Sequence, residues 1–170
     1  MRFSSIIATA ICLVSPILAA PAGELHRRDC PSVDSIRDWI KDNAKVGTNT
    51  VFYTAGAKQA QAEAFAATLD GGGQYWNKVF GDQYLDWLDE CGPGAEQDKL
   101  FPRMGEALAK ESSGTAYVMM VKGKPIADFW KNYEYPNLGN AKIIAVNADD
   151  FNDKKDYVHD QPFKRAILMA

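Results

Sequence analysis

Thr115-Ala116-Tyr117-Val118-Met119-Met120-Val121 is the stretch whose reading decides the fold. A strand with one wet face alternates apolar and polar residues, whereas this near-continuous apolar run marks a strand buried on both faces. Lys122-Gly123-Lys124-Pro125 ends it as a turn, and Lys142 to Val146 reads as a second buried strand. Upstream, the spacing changes to a helical one. Ser32 followed by Val33, Ile36, Trp39 and Ile40 predicts a capped amphipathic helix to about Lys45. Thr50 to Thr54 is a short β-branched and aromatic strand, and Ala57 to Leu69 is a helix stopped by Gly71-Gly72-Gly73. Trp76 to Glu90 gives one or two further helical turns with Val79, Phe80, Tyr84, Trp87 and Leu88 inward. Asp98 to Glu111 is another helix, with Pro102 placed in its first turn, where a missing N–H costs nothing. Asp149 to Asp156 reads as a polar loop and Arg165 to Met169 as a final short strand. The expectation is an α/β fold, a helical N-terminal half packed on a small, mostly parallel sheet in the C-terminal half.

Residues 1–20 have the form of a secretory signal peptide: Arg2, the apolar run from Ile6 to Leu18, then small residues. Residues 21–28 read as a short pro-segment ending in Arg27-Arg28, a dibasic pair resembling the sites that kexin-type proteases cut in secreted fungal proteins. Residues 29–170 then form one domain. They carry 16 Lys and Arg against 21 Asp and Glu, scattered rather than blocked. That balance argues against nucleic acid and offers no polybasic membrane patch, and no span is expected in the mature chain. Only Cys30 and Cys91 remain after the leader. In an exported protein such a pair most simply forms one disulfide, the alternative being two buried thiols. The expected location is extracellular.

Some chemistries are absent. His159 is the only histidine after the leader, which removes catalytic triads and multi-histidine metal sites. Asp150-Phe151-Asn152-Asp153 has the outline of a calcium loop, but Lys154 stands where an oxygen ligand belongs. The three glycines at 71–73 follow a helix and lack a dinucleotide fingerprint's spacing. No metal and no bound cofactor are expected.

One segment invites chemistry. Phe129 to Leu138, FWKNYEYPNL, sets Glu134 among Phe129, Trp130, Tyr133 and Tyr135. A carboxylate in a dry aromatic surround stabilises a developing positive charge better than it could in water, and aromatic faces hold a flat cation. The plainer account is a half-buried strand end with core aromatics and a solvated Glu.

From Val51 to Val146 the chain resembles the ADP-ribosyl cyclase family of secreted and cell-surface NAD-consuming enzymes. Phe52-Tyr53-Thr54 stands for that family's Phe-Trp-Ser, followed by the Phe65-Ala66 pair. Cys91-Gly92 keeps the end of a Trp-Cys-Gly, with Glu90 for the Trp, while Asn77 takes the place of an acidic Glu. Asp86 falls at a pocket-lining Asn or Asp. Phe101 to Gly123 matches a helix-and-strand block in length, but Pro102 replaces a Trp and Glu106 a Ser. Trp130 and Tyr133-Glu134-Tyr135-Pro136-Asn137-Leu138 match the family's aromatic and Tyr-Glu-x-Pro-Asn-Leu, whose Glu is catalytic.

The resemblance implies cleavage of the nicotinamide–ribose bond of NAD+, a substrate and not a cofactor. Glu134 would stabilise the oxocarbenium-like transition state, Tyr53 and Trp130 would wall the nicotinamide, and Thr54 would contact ribose or phosphates. Asp86 and Glu106 would lie at the site. Loss of the indole at Pro102 and the added charge of Glu106 favour hydrolysis to ADP-ribose over cyclisation. This reading requires Tyr53, Asp86, Trp130 and Glu134 to line one pocket. The alternative is a non-catalytic secreted effector or binding protein of the same fold; a third reading is chance α/β patterning around an unrelated ligand. Sequence names no protein partner.

Overall fold

The computed structural model describes residues 29–159 and Phe163. The signal peptide, the pro-segment and the strand expected at Arg165 to Met169 lie outside the described residues.

The apolar run at 115–121 forms the centre of a five-stranded sheet. Its strands are β1 (Thr50–Tyr53), β2 (Gln74–Tyr75), β3 (Thr115–Met120), β4 (Lys142–Asn147) and β5 (Asp150–Asp156). They lie in the order β2-β1-β3-β4-β5, the first four parallel and β5 antiparallel to β4. β3 sits between β1 and β4, with Val51 opposite Tyr117 and Tyr117 opposite Ile144, so both its edges are bonded. Side chains alternate across the strands and feed two cores. Phe52, Ala116, Val118, Met120 and Ala145 face one core; Val51, Met119 and Val146 face the other.

Among the described residues, five α-helices accompany the sheet. α1 (Val33–Asn43) starts where the Ser32 hydroxyl accepts the Ser35 N–H, and it buries Ile36 and Ile40. α2 (Gln59–Ala66) places Ala62, Phe65 and Ala66 in the second core. It ends against β2 at Gly73, where a Cβ would stand 2.9 Å from that of Ala66. α3 (Trp76–Phe80) and α4 (Gln83–Cys91) follow, separated at Gly81 with φ +49°. α5 (Ala95–Glu111) buries Leu100, Met104 and Leu108 in the first core. Among the described residues no helix is long and apolar enough to cross a membrane.

Three expectations need correction. The sheet is not confined to the C-terminal half, because β1 and β2 both come from the helical half; two-residue β2 is too short to show a period. Residues 150–156 are a strand rather than a polar loop. An edge strand tolerates charges that a central one could not, and Phe151 still reaches Phe65 at 5.5 Å. Pro102 is the eighth residue of α5, not part of its first turn. It therefore leaves the Asp98 carbonyl without its helical donor.

Cys30 and Cys91 are joined, tying the N-terminus of the described chain to the end of α4 across a separation of 61 residues. Arg103 reinforces the junction by donating to the Pro31 carbonyl and to Glu96. Closing a loop of that length stabilises by about 4 kcal/mol on the chain-entropy estimate. Replacing both cysteines by Ser is therefore expected to lower the unfolding free energy by about that amount in a denaturant titration. An unchanged unfolding free energy would show that the bond adds nothing to the fold.

Candidate active site

The connection after β1 returns through α2 to β2, whereas the connection after β3 leads the other way, to β4. Parallel strands whose connections diverge leave a crevice at their carboxyl ends, the usual ligand position in an open α/β sheet. A cavity of about 410 Å³ opens here. Val51, Phe52 and Leu108 line it from the sheet and α5; Trp76, Phe101 and Phe129 add aromatic walls. Its two titratable lining groups are Tyr53 and Glu134.

Glu134 arrives through an unusual turn. After β3 the chain is pinned to β1, because the Thr54 hydroxyl accepts the Ala127 N–H at 3.0 Å. Trp130–Glu134 then forms a π-helical turn, closed when the Tyr135 N–H reaches the Trp130 carbonyl, and Tyr135–Asn137 tightens into a 3-10 turn. The segment is thus helical, not a strand end, and Glu134 is buried rather than solvated. π-turns are rare and often occur at functional positions. The turn fits closely against α5 because residue 105 has no side chain. A Cβ on Gly105 would lie 2.8 Å from Phe129 Cε1 and 3.3 Å from Glu134 Cγ.

Glu134 is only 6 % exposed, and burial pushes its carboxyl pKa up to about 8. Among the described residues no Lys or Arg forms an ion pair with it. Lys131 pairs with Asp128, Arg103 with Glu96, and Lys110 with Glu106. Tyr53 donates its hydroxyl to Asn77 Oδ1 at 3.1 Å, which fixes the ring at the cavity. Its phenol pKa is raised by burial first and by the charge of Glu134 second. Asn77, the replacement for an acidic residue in the resemblance, is here the group that holds Tyr53.

The four residues expected in one pocket divide evenly. Tyr53 and Glu134 line the cavity; Trp130 and Asp86 do not. Trp130 lies behind it, packed on Phe52 and Tyr157, with its indole N–H bonded to the Tyr157 hydroxyl at 2.9 Å. Asp86 is exposed on α4. Thr54 is buried and occupied with Ala127, and Glu106 pairs with Lys110 at 2.6 Å, so its charge is compensated. The aromatic walls come instead from Trp76, Phe101 and Phe129. In the sequence Trp76 only opens a helical segment and Phe101 only begins the block matched to the family; neither is assigned to the site there. Gly105 gives no sequence signal without knowledge of what crosses α5. Among the described residues no cluster of His, Cys, Asp and Glu could hold a metal ion.

No family model, no curated protein and no solved structure matches this chain.

A perturbed carboxyl in a cleft marks a candidate functional group. Its raised pKa also has a stability consequence. Between the ordinary value of 4.5 and about 8 the native protein holds a proton that the unfolded chain has lost, so stability falls as pH rises through that window and levels off above it. Glu134→Gln removes the titration. The variant is expected to match the parent near pH 4 and to exceed it by a few kcal/mol at pH 8.5, measured by denaturant unfolding at both. An equal gap at the two pH values would show that the buried carboxyl is not the cause.

Proposed function

We propose that this chain is a secreted NAD+ glycohydrolase that cleaves the nicotinamide–ribose bond to give nicotinamide and ADP-ribose. The observation that carries the reading is the Glu134 carboxyl, buried in an aromatic cavity with no Lys or Arg among the described residues paired with it. Such a group is completed by a ligand that brings positive charge, and the aromatic walls favour a flat cation. The nicotinamide ring of NAD+ is both. The resemblance at Tyr133 to Leu138 points the same way, but the four-residue pocket it requires is only half assembled, since Trp130 and Asp86 lie outside the cavity. The reading therefore rests on Glu134, Tyr53 and the aromatic walls.

The chemistry needs little else. The C1′–N bond breaks with its electron pair going to the ring nitrogen, so the leaving group departs neutral and requires no acid. Positive charge then develops on the ribose, where the Glu134 carboxylate stabilises it. Water forms the new C1′–O bond and releases one proton to solvent. Tyr53, held by Asn77, keeps one wall of the ring site in place. At about 410 Å³ the cavity has the size of a small ligand site. That favours one end of the dinucleotide over a substrate folded back for cyclisation.

Glu134→Gln keeps the volume and removes the charge. Nicotinamide release from NAD+ is expected to fall by about a thousandfold or more, with the far-ultraviolet circular dichroism unchanged. Turnover near the parent rate in that variant would reject Glu134 as the catalytic group. The pH profile is a separate check. Since kcat/KM follows the free enzyme, it is expected to rise about tenfold per pH unit up to about 8 and then level. Bound cation favours the carboxylate, so kcat should reach its plateau at lower pH. A kcat/KM that is flat from pH 6 to 9 would contradict the assignment.

A further inference from the structure

The cavity's aromatic lining does not stop at its mouth. Trp76 stacks on Phe101 at 6.2 Å with an interplanar angle of 21°, and Tyr84 lies against Phe101 at 6.1 Å. On the other side Phe129 packs against Tyr133 at 5.5 Å. Phe101 is 39 % exposed although it is one of the larger apolar side chains, and Leu85 beside Tyr84 is 47 % exposed. Phe101 is exposed apolar surface continuous with the cavity and so marks a contact, while half-buried Tyr84 packs on the first core with one side and meets Phe101 with the other.

We propose that the Tyr84–Phe101 lip, formed by α4 and α5, is a stacking site for a second, uncharged flat ring: the purine of a dinucleotide substrate. This rests on the glycohydrolase reading, which places the cationic ring beside Glu134. Two observations choose this lip over the opposite one. Phe129 and Tyr133 belong to the same short segment as Glu134, so they stay beside the bond that breaks. Phe101 both lines the cavity and carries the surface outward to Tyr84, as a ligand with two rings on a long linker requires. The lip is built of rings rather than cations. It reads the purine and leaves the phosphates to solvent, and base stacking on aromatic side chains is strong enough to affect substrate choice.

The test compares NAD+ with nicotinamide mononucleotide, which has the same scissile bond and no purine, in the parent and in Tyr84→Ala and Tyr84→Phe. The parent is expected to prefer NAD+ by about tenfold or more in kcat/KM. Tyr84→Ala is expected to lose about tenfold on NAD+ while its kcat/KM on the mononucleotide stays at the parent value, and Tyr84→Phe to restore NAD+. Equal losses on both substrates would mean that Tyr84 supports the structure rather than the purine. No loss on either would place the purine elsewhere; both results overturn the proposal with the glycohydrolase reading intact. A folded parent that cleaves neither substrate overturns the underlying reading, and this site with it.

Discussion

The proposed site depends on one carboxyl group, that of Glu134, buried with no counter-charge among the described residues. The rise of the Glu134 pKa from 4.5 to about 8 corresponds to roughly 5 kcal/mol against ionisation. A ligand cation about 4 Å away returns about 4 kcal/mol at an effective dielectric of 20. These two magnitudes nearly cancel. On that balance Glu134 is protonated at neutral pH in the free protein and would ionise beside a bound cation. On the proposed reading, the carboxylate then forms beside the cationic substrate.

The fold creates this condition through several local compromises. The π-turn at Trp130–Glu134 sends Trp130 into the core and Glu134 to the cavity. Gly105 lets that turn press against α5, and the Thr54 hydroxyl holds its approach to the end of β1. Each contact is local, yet together they place Glu134 at the divergence of the β1 and β3 connections. There the sheet supplies rigidity and the helices supply aromatic walls. On α5, Arg103 and Lys110 are paired with Glu96 and Glu106 rather than with Glu134.

Much of the scaffold was legible in the sequence because it depends on local pattern. The runs at 115–121 and 142–146 become the two central strands, Ser32 caps α1, and Cys30 pairs with Cys91. What the sequence hid depends on distant neighbours. β2 is two residues long, and β5 carries charges that only an edge position permits. Pro102 sits deep in α5 because tertiary packing on Leu100 and Met104 outweighs one lost helical bond. In the site, Glu134 and Tyr53 were legible from their motifs. Trp130 was misplaced because an aromatic beside a candidate catalytic group can face the core as readily as the ligand. Trp76 and Phe101 drew no site assignment from the sequence, and only the meeting of α3, α5 and the π-turn makes them walls.

The most direct measurement is a titration of the Glu134 carboxyl itself, by difference infrared spectroscopy of the parent against Glu134→Gln. It would be run with and without N-methylnicotinamide, a flat cation with no bond to cleave. The account predicts protonation with a midpoint near 8 in the free protein and a midpoint at least one unit lower with the cation bound. A carboxyl that titrates near 4.5 in the free protein, or one whose midpoint ignores the cation, would contradict it.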